Sequence, residues 1–131
     1  MERPRIAISG IAGSFSEEAA RKFLSLREMA AEIDYATTAR DTFEAVSSGR
    51  TALGLVPLEN SNGGLVLETV HAAADYLYHI ERIFEIDVHQ NIIVLPGTDR
   101  SSITKIVSHH QALAQCKFYL RRQWPAAEHI E

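Results

Sequence analysis

Leu53-Gly54-Leu55-Val56-Pro57-Leu58-Glu59-Asn60-Ser61-Asn62-Gly63-Gly64 sets the architecture expected of the whole chain. An apolar run with Pro57 near its end passes into an acid, an amide, a hydroxyl and two glycines. Leu65 to Tyr78 then carries apolar residues at helical spacing. The pattern predicts a strand, a polar turn and the start of a helix. In an α/β sheet such a junction lies at a strand's carboxyl end, where the unpaired N–H groups of a helix start face a crevice and ligands bind. Glu59, Asn60 and Ser61 are therefore candidate ligand-positioning residues. The plainer account is a cap, with Ser61 or Asn62 closing the helix start and Gly63-Gly64 letting the turn bend. The two accounts are compatible.

Toward the N-terminus, Arg40 to Ser48 places Phe43 and Val46 on one helical face with Ala39 beside them, and Gly49 closes the helix. Glu32-Ile33-Asp34-Tyr35-Ala36 alternates as a short strand before it, and Thr37-Thr38 supplies a candidate cap. Ile6-Ala7-Ile8-Ser9 is a further strand running into Gly10-Ile11-Ala12-Gly13-Ser14-Phe15-Ser16. Glu17 to Leu24 is helical, with Ser14 or Ser16 as cap and acids in the first turn. Strand and helix thus alternate over residues 5 to 78, which favours a mainly parallel sheet covered on both faces. Gly10 and Gly13 match neither the dinucleotide fingerprint nor the lysine-bearing phosphate loop, so no cofactor is expected. Their loop is either a turn offering backbone N–H groups to an anion or a purely structural tight turn.

Toward the C-terminus, the helix from Gly64 is expected to turn Leu67, Val70, Ala74 and Leu77 inward and Glu68, His71, Asp75 and Tyr78 outward. Ile83 to Leu95 alternates and then becomes fully apolar, which predicts one long strand, or two joined by a bend around His89-Gln90-Asn91. Pro96 to Asp99 is a turn and Ile103 to Val107 a strand with Ser108-His109-His110-Gln111 at its end. Ala112 to Trp124 is a helix presenting Leu113, Cys116, Phe118, Tyr119 and Leu120, stopped by Pro125, and Ala126 to Glu131 begins another strand. The expected organisation is a first α/β lobe over residues 1–82 and a second, partial α/β lobe over residues 83–131.

A chain of 131 residues with 46% hydrophobic and 23% charged residues is that of an ordinary globular protein with one core or two small lobes. A net charge of −4, with Arg121-Arg122 as a short basic pair, argues against a nucleic-acid footprint. One cysteine excludes an internal disulfide, and no uncharged stretch reaches membrane-spanning length, so a cytoplasmic protein without a membrane partner is expected. His109 and His110 are adjacent and join no Cys or carboxylate at a ligand spacing, and His71 and His79 flank no metalloprotease signature, so no metal is expected. His109 at a strand end is either a binding residue or a cap, and Cys116 is read as an inert thiol on a helix face.

The turns at Gly13 to Ser16, Asn60 to Gly64 and Ser108 to Gln111 each follow a strand and open a helix, and none contains Lys or Arg. If they meet in one cleft, helix ends and neutral donors surround a small acidic metabolite and hold its carboxylates without ion pairs.

Three stretches carry a resemblance: Gly10 to Ser16; Val56 to Ser61 with Gly64 and Thr69; and Val107-Ser108-His109-His110-Gln111-Ala112-Leu113-Ala114-Gln115-Cys116. In order and separation they resemble successive signatures of the prephenate dehydratase family, over residues from Arg5 to Trp124. The resemblance implies a two-lobed, periplasmic-binding-protein-like α/β fold, with the second lobe incomplete in these residues. It implies a lyase that converts prephenate to phenylpyruvate, water and carbon dioxide in phenylalanine biosynthesis, without metal or organic cofactor. Carried over by position, Ser14, Glu59, Asn60, Ser61, Ser108, His109 and Gln111 are substrate-binding or cleft-lining residues. The family's proton donor is the threonine of a Thr-Arg-Phe motif, no such triplet occurs in this sequence, and no catalytic residue is assigned. The alternative is a non-catalytic small-carboxylate-binding module derived from that family. Uncovered sheet edges further predict a homodimer, with exchanged elements as one form of it.

Overall fold

Strands β1 (Arg5–Ile8), β2 (Glu32–Tyr35) and β3 (Leu53–Leu55) pair in the order β2-β1-β3, all parallel. The computed structural model describes residues 3–131, and among them the chain forms two compact units, one running to Asp87 and one from Val88 to Glu131.

In the first unit β1 is central because it is apolar throughout its buried length; Ile6, Ala7 and Ile8 are all sequestered. Residues two apart on a strand share a face. Ile6 and Ile8 accordingly pack under α1 (Phe15–Leu26) with Ala20, Phe23 and Leu24, and Ala7 packs on the other face with Ala36 and Ala45 of the α2 side. Helix α2 (Ala39–Ser47) is capped by Thr38, whose hydroxyl accepts the Asp41 N–H, and Gly49 follows it at φ +76°. Before the cap, Thr37 stands at φ +71° and the Thr38 N–H donates to the Ala36 carbonyl at 2.8 Å, a γ-turn that is costly for a β-branched residue. The parallel sheet covered on both faces is as the sequence predicts.

Two expectations are corrected. The helix after β3 does not start at Gly64. A hairpin of β4 (Glu59–Asn60) and β5 (Gly64–Leu65) intervenes, and α3 runs only over Leu67–Ala73. Its buried residues are Thr69 and Ala72, whereas Leu67 and Leu77 are exposed at 62% and 101%. The inward face is set by contact with α2, where Glu68 Oε1 accepts the Ala39 N–H and Tyr76 stacks on Phe43. Side-chain size alone points the other way.

Ile83 to Leu95 forms no strand. A strand persists only where its N–H and C=O groups find a ladder partner, and none exists for this segment among the described residues. Within the first unit Phe84 instead stacks on Phe23 at 6.0 Å, and Lys22 Nζ donates to the Glu85 carbonyl at 2.9 Å.

In the second unit β6 (Lys105–Val107) and β7 (Glu128–Ile130) pair in parallel, with α4 (His110–Gln123) between them in the chain. Asp99 caps a single helical turn at Arg100–Ser102. Leu120 and Trp124 are the buried apolar side chains here, while Phe118 is 86% exposed. At 100° per residue Phe118 lies far around the helix from Leu120, so the two apolar side chains face different ways.

Candidate functional site

Helix α1 carries the chain from β1 to β2 on one side, and β3 lies on the other side of β1. The carboxyl ends of β1 and β3 therefore flank the point where the winding reverses, the place where open α/β sheets bind ligands. Their loops begin side by side, with the Ser9 N–H donating to the Leu55 carbonyl at 3.1 Å.

The loop after β1 is held from within. Ser16 Oγ donates to the Ser9 carbonyl at 2.7 Å, and Ser14 Oγ accepts the Glu17 N–H at 3.3 Å as the α1 cap. A Cβ on Gly10 would come within 2.6 Å of Ser14 Oγ, so glycine is what lets the loop close. The Gly13 N–H donates to Glu17 Oε2 at 2.7 Å, and Arg21 Nε donates to Glu17 Oε1 at 2.8 Å. The Gly13 N–H and, after it, Arg21 hold the Glu17 carboxyl below its usual range. One N–H expected to face an anion is thus satisfied by the chain's own carboxylate. Glu17 was legible only as a first-turn acid; the signal for its tighter role is the Ser-x-x-Glu spacing of a capping box.

After β3, the Asn62 N–H donates to Asn60 Oδ1 at 3.0 Å and the Gly63 N–H to the Asn60 carbonyl at 3.2 Å. With Gly64 at φ +70° this closes the hairpin turn. Neither Ser61 nor Asn62 caps a helix, since the N-cap of α3 is Val66 without a side-chain bond. The Asn60 amide nitrogen, the Ser61 hydroxyl and the Glu59 carboxylate have no hydrogen-bond partner among the described residues and remain available at the turn. Thr69, part of the same signature, has its hydroxyl buried in α3 with no partner among the described residues.

Ser108, His109 and Gln111 occupy the carboxyl end of β6 in the second unit. The Ser108 N–H donates to the Ile130 carbonyl at 3.0 Å, which fixes the start of the turn against β7. Helix α4 starts at His110, earlier than expected, so Gln111 lies in its first turn. His109 is its cap, with Nδ1 accepting the Gln111 N–H at 3.3 Å. All three candidates are exposed. Ser14 thus lies in the loop after β1, Glu59, Asn60 and Ser61 lie in the hairpin that follows β3, and Ser108, His109 and Gln111 lie at the carboxyl end of β6 in the second unit.

Two open cavities lie elsewhere. One of about 260 Å³ is lined by Asp34, Asp41, Glu44 and Arg50, and one of about 460 Å³ by Asp99, Arg100, Gln123 and Trp124 at the far end of α4 from His109. Among the described residues no group of three or more His, Cys, Asp and Glu is placed to hold a metal ion, and no helix is long and apolar enough to cross a membrane.

Comparison with known proteins gives concordant matches. The family model for prephenate dehydratase matches residues 6–131. A prephenate dehydratase of Methanocaldococcus jannaschii is 36% identical over 115 residues, covering 84% of this chain and 39% of that protein. A bifunctional chorismate mutase/prephenate dehydratase of Stutzerimonas stutzeri is 33% identical over 99% of this chain and 35% of its own length. Arogenate dehydratase 5 of Arabidopsis thaliana, a chloroplastic protein, is 34% identical over 94% of this chain and 28% of its own. The chain thus spans roughly two fifths or less of the length of these curated relatives. In fold, it matches a crystal structure of prephenate dehydratase in complex with L-Phe from Arthrobacter aurescens with a TM-score of 0.68, at 24% identity, covering 96% of this chain and 41% of that one.

Proposed function

This chain belongs to the prephenate dehydratase family, and from that premise we propose that it serves the conversion of prephenate to phenylpyruvate in phenylalanine biosynthesis. The ring carboxylate leaves as carbon dioxide, its bonding electrons enter the ring, and the ring hydroxyl takes a proton and departs as water. Aromatisation drives the step, so the protein's work is to bind, orient and protonate. Asn60 and Ser61 in the hairpin after β3, with Ser108 and Gln111 at the carboxyl end of β6, are neutral donors suited to the substrate's carboxylates. Glu59 and His109 line the same turns, and Ser14 shapes the first loop. What supports this reading is that the loop carrying Gly10 to Ser16 follows β1 and the segment from Val56 follows β3, the two strands whose carboxyl ends flank the reversal point of the sheet, where ligands of this fold class bind.

The reading includes a cytoplasmic protein without metal or organic cofactor. It also includes a homodimer, for which the motive is the apolar surface left open in each unit, such as Ile93 at 92% exposure. Sedimentation at micromolar concentration should give the dimer mass, and a stable monomer overturns that part.

The test of activity is phenylpyruvate formation from prephenate near neutral pH, corrected for acid-catalysed breakdown. Expected is a rate above background that falls on Ser61→Ala or Gln111→Ala. Background rate with retained prephenate binding favours the second reading, a carboxylate-binding module without turnover. Arogenate is the comparison substrate, because some relatives are named for it.

A further inference from the structure

We propose that the His109-His110 pair is a pH-sensitive latch on the first turn of α4. His109 Nδ1 accepts the Gln111 N–H at 3.3 Å, which requires that nitrogen to be unprotonated. Protonation replaces the acceptor with a donor facing a donor and releases the cap. The His110 ring lies 4.3 Å away, centroid to centroid, so a second proton adds repulsion, and both charges fall at the positive end of a helix of 14 residues. The latch is closed while the His109 imidazole is neutral and opens when it takes a proton.

Charged neighbours in this unit do not neutralise the pair. None of the ion pairs among the described residues involves either imidazole. Lys105 pairs with Glu128 where β6 and β7 begin, Arg100 is engaged with Gln123 at the far end of α4, and Arg121 and Arg122 sit in its last turn. His129 lies within β7 opposite Ile106. Lys117 is two turns into α4, and His89 precedes Gln90, whose side chain bonds Gln115. Glu131 follows Ile130, the residue bonded to Ser108, and is the acid nearest this turn along the fold. It offsets part of the added charge without restoring the lost acceptor. The consequence for ligand binding rests on the reading of Gln111 as a substrate residue; the latch itself does not.

The test is amide hydrogen exchange on the ligand-free protein, comparing protection factors at Gln111 and Leu113, whose N–H groups bond His109 Nδ1 and the His109 carbonyl, between pH 7.5 and pH 5. Wild type should lose about tenfold in protection there, the scale of a lost cap plus an unfavourable helix-end charge. His109→Asn, which keeps a capping side chain that does not titrate, should remove most of that loss, and Glu131→Gln should enlarge it. Equal loss in wild type and His109→Asn, or no loss in wild type, overturns the latch. No ligand is present, so failure here is separate from failure of the proposed function.

Discussion

Trp124→Ala is expected to unfold the second unit while leaving the first folded. Trp124 and Leu120 are the buried apolar side chains of that unit among the described residues. The indole is fixed on several sides: its Nε1–H donates to the Arg100 carbonyl at 2.8 Å, the Arg100 guanidinium lies 4.8 Å over the ring, and Tyr119 meets it edge-on at 6.3 Å. Truncating a buried Trp costs about 3–5 kcal/mol. A unit of this size with so thin a core holds little beyond that. In amide NMR spectra, the dispersed resonances of residues 88–131 should collapse and those of β1 to β3 persist. Trp124→Phe, which keeps most of the ring area, should retain partial dispersion. An unchanged spectrum for Trp124→Ala would refute the assignment of this residue as the unit's anchor.

Ile8→Ala is the counterpart in the first unit. Ile8 is fully buried on the central strand, between β2 and β3 and under α1. Its loss should cost about 3–4 kcal/mol, since neighbours locked in parallel pairing relax little into the cavity. Ile11→Ala, at a side chain 63% exposed, should fall within about 0.5 kcal/mol of wild type. Denaturant titrations of the pair check this, and a cost below about 1 kcal/mol for Ile8→Ala would mean that the core lies elsewhere.

The sheet and its two covering helices were legible because periodicity and caps agree locally there. Ile6 and Ile8 alternate with Ala7, and Ser14 and Thr38 stand directly before apolar-periodic runs. What was not legible depended on partners distant in sequence. The alternation from Ile83 to Leu95 has the pattern of a strand but no neighbour among the described residues to pair with. The inward face of α3 is decided by its contact with α2, which buries Thr69 and Ala72 and leaves Leu67 out. The candidate site divides the same way. The turn at Asn60 to Gly64 was expected to open a helix, and its Asx bond folds it into a hairpin instead. His109 was open between ligand and cap, and in the folded chain it caps α4.

Both readings of function share one claim, that these exposed turns hold the carboxylates of a small dicarboxylate. Calorimetric titration of prephenate into wild type, Asn60→Ala and Ser108→Ala tests it most directly. Expected is saturable binding to wild type and at least about tenfold weaker binding to each variant, the scale of one lost hydrogen bond to a charged group. Equal affinity in all three, or no binding to wild type, would contradict it.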